Sequence, residues 1–240
     1  MRDNDRKLHT FCKRLPKVEL HAHLNGSIRP RTLIELAHER GVTLPSILLD
    51  GAAPHDHDPE EEATFFNTKP RSLEQCFDIF ACIPKCVNDL VALRRITREA
   101  LDDAASENTA YIELRTGPKV LLIDHRIAGA RRCTKRQYIE TIISIMQDFE
   151  REDRQRYQRE MGTGDASGAL ARCPLTPRLI VSVDRAGTVD QALENVALAI
   201  DMFQSDQRMV VGVELGGNPS RNDFRTFEPV FAIARKAGLP

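Results

Sequence analysis

Apolar residues along the chain alternate between short β-type runs and longer stretches with helical spacing. Four runs rich in Val, Ile and Leu cover Val18–His23, Ala110–Arg115, Arg178–Asp184 and Met209–Leu215, and they predict buried parallel strands. Between these runs, apolar residues recur every three or four positions, which predicts amphipathic helices. This alternation is typical of an α/β fold with a parallel sheet. The candidate architecture is a (β/α)8 barrel of the TIM type, whose sites gather at the C-terminal ends of the strands.

The number of strand–helix units limits how much of a barrel the chain supplies. The sequence contains about four such units, whereas a closed barrel needs eight. The last helix ends in a basic turn and a glycine cap within residues 234–240, where a fifth strand is expected to begin. Residues 1–240 are therefore predicted to be the N-terminal part of a single barrel domain that is truncated. Polar stretches at 48–71 and 150–177 are predicted insertions or loops, with an extension of the preceding helix over Arg151–Arg159 as the alternative for the start of the second stretch.

Local signals predict several helix boundaries. Ser72 with Gln75, and Thr134 with Gln137, have the spacing of capping boxes, so helices are expected to start there. Pro84 lies inside the helical pattern that follows Ser72, and it is expected to end or kink that helix.

Composition narrows the class of protein. The 240 residues carry a net charge of −1, which gives no basic field for nucleic acid. The N-terminus lacks the apolar core of a signal peptide, and no run of about 18 apolar residues predicts a membrane span. The six cysteines form no Cys-x-x-Cys pair and are expected to be free thiols in a reducing compartment. We therefore predict a cytoplasmic protein that contacts neither membrane nor nucleic acid.

His21 and His23 are the main candidates for metal chemistry. They close the first predicted strand, and residues two apart in a strand share a face. Glu19 is expected on the same face, whereas Val18, Leu20, Ala22 and Leu24 are expected to form an apolar opposite face. Two neutral imidazoles can begin a zinc site, but a catalytic zinc usually takes three protein ligands and a water.

A second pair of histidines lies in the first polar stretch, in the run His55-Asp56-His57-Asp58. An accessory metal site is one interpretation of this run. A solvated acidic loop is favoured, because no apolar strand supports the residues.

The segment around His21 resembles the opening signature of the adenosine/AMP deaminase family. It reads Leu15-Pro16-Lys17-Val18-Glu19-Leu20-His21-Ala22-His23-Leu24-Asn25-Gly26-Ser27. The resemblance continues through shorter motifs in the family's order, at 73–77, 111–119, 183–185, 212–219 and 236–239. The most similar branch is the adenosine deaminase-like one, whose members deaminate N6-methyl-AMP and related nucleotides. Classical adenosine deaminases usually carry Asp where this chain has Asn25.

This resemblance implies a zinc-dependent hydrolytic deaminase of a 6-aminopurine or N6-methylaminopurine nucleotide or nucleoside. It implies that His21 and His23 are two ligands of Zn²⁺. In the family, a third His and an Asp on later strands complete the metal shell, a Glu shuttles protons and another His orients the water. All four are expected beyond Pro240, so no catalytic acid is identifiable in the chain. The complete protein is expected to be a monomer.

The resemblance also implies positions that contact the substrate. They are His23, Asn25, Thr116, Gly117, Pro118, Lys119, Asp184 and Gly217. Asn25 corresponds to a position near the ribose or phosphate, and the loop that ends in Lys119 to one that handles the phosphate. The branch often has Arg at this last position, and Lys keeps the charge but loses the bidentate fork. Asp184 corresponds to a nucleoside-binding acid, and Gly217 to a glycine whose bare backbone approaches the base.

Some interpretations stay open. The chain as given lacks the later catalytic residues, so it is either part of an active deaminase or a non-catalytic, truncated form that holds zinc poorly. An amidohydrolase that acts on a cyclic amide is a third possibility, against which the ordered motifs argue. Pro84 stands where the branch can carry a substrate-contacting His, which leaves the exact substrate open. Glu113 and Arg115 share a strand face, where either an internal ion pair or a site role fits.

Overall fold

The computed structural model describes residues 3–45, 72–162, 172–205 and 209–240. Its helices and strands in chain order are α1 (Asp3–Arg14), β1 (Lys17–His23), α2 (Pro30–Glu39), α3 (Leu73–Cys86), α4 (Leu90–Ser106), β2 (Thr109–Thr116), α5 (Lys135–Gly162), β3 (Thr176–Asp184), α6 (Val189–Gln204), β4 (Val210–Gly216) and α7 (Phe224–Lys236). A short 3₁₀ turn, Leu24–Gly26, follows β1.

The four strands form one parallel sheet in the order β1-β2-β3-β4. Each predicted strand is present, with bounds shifted by at most two residues, and helices occupy the connections between strands. The predicted α/β class is therefore confirmed, with four of the β/α units that a barrel repeats. Beyond β4, the carbonyl oxygen of Pro240 accepts a hydrogen bond from the Val213 amide at 2.9 Å, so the last residue lies beside the β4 edge.

The core lies between the sheet and the helices, because apolar strand residues face apolar helix stripes. Leu114 of β2 and Leu179 of β3 are fully buried, as are the large side chains of Phe149 in α5 and Phe227 in α7. Tyr138 is also buried, and its hydroxyl lies 2.8 Å from Thr116 Oγ1. Burial raises the pKa of Tyr138 to about 12, so this hydroxyl stays neutral at physiological pH. The core thereby fixes the end of β2 from which the candidate phosphate loop leaves.

Strand β1 carries an irregularity that its sequence pattern does not predict. Two consecutive residues, Leu20 and His21, lie opposite one residue of β2, which is the geometry of a β-bulge. The regular pairs on either side are Glu19 with Ile112 and Ala22 with Leu114. A bulge reverses the alternation of side chains, so the two ends of β1 follow different phases.

The predicted apolar face of β1 is wrong for this reason. Val18 pairs with Tyr111, on the face of β2 that also bears Arg115, and Val18 and Leu20 are 62% and 54% exposed. Leu24 alone of the predicted set is fully buried, although Ala22 packs against the core. Because β1 is at the edge of this sheet, part of its apolar surface remains in contact with solvent.

Both predicted capping boxes are present. Ser72 and Gln75 exchange backbone-to-side-chain hydrogen bonds of 3.2 and 2.8 Å. Thr134 and Gln137 do the same at 3.1 and 2.9 Å before α5. Helix α3 does not end at Pro84 but continues to Cys86.

The two predicted insertions differ in what the structure describes. The stretch 48–71, with His55 and His57, lies outside the described residues. The stretch 150–177 begins as helix, because α5 continues to Gly162. Asp153 in this part of α5 is buried and accepts a 2.9 Å hydrogen bond from the Leu175 amide just before β3. The part of the predicted loop up to residue 162 is thus an extension of the preceding helix.

All six cysteines are free thiols, as predicted. Among the helices of the described ranges, none is both long enough and apolar enough to cross a bilayer.

Candidate functional site

The C-terminal ends of the strands surround an open cavity of about 340 Å³. Parallel strands place these ends at one edge of the sheet, where the loops that follow them converge. All the predicted substrate-contact residues line this cavity, namely His23, Asn25, Thr116, Gly117, Pro118, Lys119, Asp184 and Gly217. Their contact with a substrate stays a prediction, but the fold does bring them together from the ends of all four strands.

The two histidines of β1 converge at the cavity rim. Their Nε2 atoms lie 3.2 Å apart, and the ring centroids lie 5.1 Å apart. The carboxylate of Glu19 accepts a 2.7 Å hydrogen bond from the His21 amide and so braces the backbone below the rings. Desolvation at the cavity wall lowers the pKa of His23 below 6.5, and the nearby charges of His21 and Arg115 lower it further, against the opposing effect of Glu214.

This pair has the geometry of two ligands on one metal ion. Two nitrogens that each bind zinc at ~2.0–2.1 Å with tetrahedral angles are separated by about 3.3 Å, close to the distance between the two imidazoles. Uncharged rings are the form that binds metal, and the lowered pKa of His23 favours that form. Among the residues that the structure describes, no further His, Cys, Asp or Glu joins His21 and His23 in a convergent set of three.

A charged pair crosses the cavity floor, and sequence reasoning did not identify it. Arg115 of β2 forms an ion pair with Glu214 of β4, and the two side chains are only 8% and 15% exposed. Ser182 of β3 donates a 2.6 Å hydrogen bond to the other carboxylate oxygen of Glu214. Glu113, the partner that the sequence offered for Arg115, instead accepts a hydrogen bond from the Tyr111 hydroxyl.

The opposite wall is suited to a negatively charged group. Burial lowers the pKa of Lys119, while the carboxylate of Asp184 opposes that effect. Lys135, which sequence reasoning also missed, lines the same cavity and donates to Glu194 and Asn195 of α6 at 2.6 and 2.9 Å. Lys119 thus gives the wall a positive charge that would attract an anion, whereas the charge of Lys135 is paired with Glu194.

Gly217 is a position of the site where the backbone requires glycine. Its φ is +89°, and a Cβ built there would lie 2.4 Å from Asp184 Oδ1. That carboxylate oxygen also accepts a 2.9 Å hydrogen bond from the Ala186 amide. A side chain at position 217 would therefore displace Asp184, which supports the prediction that the bare backbone faces the cavity.

A second group of potential metal ligands consists of Asp89, Asp124 and His125. Asp89 is fully buried, caps α4 through the Ala92 amide at 2.7 Å and contacts the ring of His125. A guanidinium nitrogen of Arg40 already lies 3.3 Å from the same carboxylate. Because a fixed cation occupies this position, we interpret the group as a structural network that ties the loop after β2 to α4.

Comparisons with known proteins agree with this geometry. The family model for adenosine deaminase matches residues 16–240. An N6-mAMP deaminase of Arabidopsis thaliana is 36% identical over 237 residues, which are 95% of this chain and 59% of that protein. A crystal structure of the Arabidopsis N6-mAMP deaminase has a TM-score of 0.65 at 34% identity, with 96% of this chain and 58% of that chain covered. The crystal structure of an Arabidopsis protein complexed with GMP has a TM-score of 0.65 at 33% identity, with 96% of this chain and 58% of that chain covered. The chain thus spans less than two thirds of the length of these relatives.

The Gly217→Ala substitution is expected to lower the free energy of unfolding more than Gly129→Ala does. Both glycines have positive φ, which costs another residue about 1–2 kcal/mol, but a Cβ at Gly129 meets nothing within 4 Å. The difference of about 1 kcal/mol reflects the hydrogen bond that Asp184 loses when it moves. Urea denaturation of both variants measures it, and equal losses would contradict the close approach of Gly217 to Asp184.

The Asp89→Asn substitution is expected to destabilise the protein by about 2–5 kcal/mol at pH 7, because it removes the buried counter-charge of Arg40 and leaves this arginine paired with Glu39, whose side chain is about half exposed. Burial alone would raise the pKa of Asp89, but the amides of Ala92 and His125, the His125 ring and Arg40 together lower it below 3.8. This stabilisation is present above about pH 4 and is lost as the pH falls through the folded-state pKa.

The difference between wild type and this variant should therefore shrink in acid, as measured by urea denaturation from pH 7 to pH 2.5. Asp78→Asn, at an exposed position of α3, serves as the control and should give a small difference. A gap between wild type and Asp89→Asn that stays constant down to the lowest pH would refute the assignment.

Proposed function

The chain belongs to the adenosine deaminase family, and on that premise we propose a function for it. It supplies two histidine ligands of the metal ion and the nucleotide-binding wall of a zinc-dependent hydrolytic deaminase. The substrate class is a 6-aminopurine or N6-methylaminopurine nucleotide or nucleoside, and the product is the 6-oxopurine. The convergence of His21 and His23 at 3.2 Å, at the rim of a cavity lined by the predicted substrate loops, carries this proposal.

His21 and His23 would hold the cation through their Nε2 atoms. When bound, zinc supplies a hydroxide nucleophile at neutral pH, because it lowers the pKa of its water to about 7. The protein's own contribution on this side is to present two converging imidazole rings. Desolvation keeps His23 in the neutral form at pH 7, so no proton has to leave that ring before a metal binds.

The remaining walls would hold the nucleotide. Gly217 offers backbone groups to the edge of the base, and Asp184 beside it offers a carboxylate to a sugar hydroxyl. Lys119 would neutralise the phosphate, with Lys135 on the same wall. The ammonium group of Lys119 favours a nucleoside monophosphate over a free nucleoside. The Arabidopsis structure that is complexed with GMP supports this preference, since it resembles the chain over 96% of its length.

Deamination also needs an acid that protonates the ring nitrogen, and we assign that role to no residue of this chain. A second candidate function is therefore a non-catalytic protein that binds nucleotide and holds zinc weakly. Its specific support is that, in the part of the chain that the structure describes, only two histidines converge on the metal position.

An assay of amine release distinguishes these functions. Protein with added Zn²⁺ is incubated with N6-methyl-AMP, AMP, adenosine or dihydrouracil, and methylamine, ammonia and ring opening are measured. Turnover of N6-methyl-AMP would support the deaminase assignment, and we expect His23→Ala to lose zinc binding, and with it any turnover, because a ligand is removed. His38→Ala, on the exposed face of α2, is the matched control.

Preferential turnover of the cyclic amide would contradict the deaminase assignment. Zinc binding without turnover of any purine would favour the non-catalytic alternative.

Lys119 is expected to distinguish a nucleotide from a nucleoside. In titration calorimetry, wild type should bind IMP at least about tenfold more tightly than inosine, a difference of 1.4 kcal/mol. Lys119→Met should abolish that preference, because it removes the buried ammonium that faces the phosphate. Lys236→Met, at the exposed end of α7, should retain it. Equal affinities of wild type for IMP and inosine would show that the cationic wall does not recognise a phosphate.

A further inference from the structure

The bulge in β1 determines which side of the sheet the histidines occupy. Residues that pair across neighbouring parallel strands point to the same face. On β2, Ile112 and Leu114 are 4% and 0% exposed and pack on the helical side. Arg115, the next residue after Leu114, lines the cavity on the other side.

Without the extra residue, the register that begins at Glu19 would place His21 opposite Leu114, on the helical side. His23, two residues later, would follow it to that side. In the structure Ala22 takes the place opposite Leu114, and His23 lies opposite Arg115. The bulge thus transfers the second histidine to the face that lines the cavity.

Two side chains bind the backbone of this bulge. The guanidinium of Arg115 donates to the carbonyl oxygen of Leu20 at 2.5 Å, and Glu19 accepts from the amide of His21 at 2.7 Å. Leu20 and His21 are the two residues of β1 that lie opposite a single residue of β2. A hydrogen bond from a charged donor in a partly buried position is stronger than a neutral one.

Arg115 is itself held in place by residues of β3 and β4. Its other terminal nitrogen pairs with Glu214 of β4, which accepts a further hydrogen bond from Ser182 of β3. Arg115 is 7% exposed, so its side chain has little freedom to move. Strands β2, β3 and β4 therefore act together on one carbonyl group of β1.

The geometry points to Arg115 as a positioning residue that, anchored by Glu214, holds the β1 bulge at Leu20 and so directs the rings of His21 and His23 to one point. The consequence for metal binding rests on the proposed function, whereas the consequence for the shape of β1 does not. Each is therefore measured separately.

The test compares wild type with Arg115→Met and Glu214→Gln by two readouts. Hydrogen–deuterium exchange of a peptide spanning residues 17–25 reports the bulge, and competition titration with a chromophoric chelator reports Zn²⁺ affinity. We expect at least tenfold faster exchange and at least tenfold weaker zinc binding in Arg115→Met. The Co²⁺ absorption spectrum should also change, because the two rings no longer converge. Glu214→Gln should shift both readouts in the same direction by less, since glutamine keeps an oxygen acceptor.

Arg178→Met is the matched control. Arg178 lies near the start of β3, where it forms an ion pair with Glu150. Its side chain donates hydrogen bonds to Glu150 and to the carbonyl oxygen of Pro177, neither of which belongs to β1. It should leave exchange in 17–25 and zinc affinity at wild-type values. If Arg115→Met does not fold, the inference is tested by comparing exchange and zinc affinity between wild type and Glu214→Gln.

Wild-type exchange and wild-type metal affinity in a folded Arg115→Met would overturn the inference, as would an equal effect of Arg178→Met. If the wild-type protein binds neither Zn²⁺ nor Co²⁺, the proposed metal site fails. The exchange readout then still decides whether Arg115 holds the bulge.

Discussion

One extra residue in the first strand controls the orientation of the whole candidate metal site. A regular β1 would send His23 toward the helices, where apolar side chains already fill the space. The bulge at Leu20 and His21 instead places His23 beside Arg115 at the cavity. A bulge leaves backbone groups outside the regular ladder, and such groups need other partners. The carboxylate of Glu19 and the guanidinium of Arg115 supply them.

The nucleotide side of the cavity depends on a different constraint, the close approach of two loops. Gly217 after β4 and Asp184 after β3 meet at a distance that excludes any side chain at position 217. The end of β2 is fixed by the buried contact between Thr116 and Tyr138, so the loop that carries Lys119 starts from a rigid point. The loops that would bind substrate are thus mounted on strands whose ends are held by the core.

Much of this arrangement is predictable from sequence, because it follows from periodicity and from local caps. Strands β2 to β4 are rich in Val, Ile and Leu, and Ser72 and Thr134 have the residues that a capping box requires. The alternation along β1 was mispredicted, since a bulge changes register without changing composition. The partner of Arg115 was also missed: Glu214 lies 99 residues away, and only the sheet brings the two together. Glu113 lies only two residues before Arg115 and was the more obvious partner in sequence, but it accepts a hydrogen bond from the Tyr111 hydroxyl.

The Arg115–Glu214 pair solves an electrostatic problem as well as a geometric one. A guanidinium close to His23 disfavours any further positive charge there, whether a proton on the ring or a metal ion on Nε2. Glu214 raises the pKa of the same ring, so its carboxylate opposes the effect of the guanidinium there. Without that carboxylate the arginine would lose its anchor and would disfavour a cation at the rim more strongly. The same two residues can therefore support the strand and tolerate a divalent ion only when both are present.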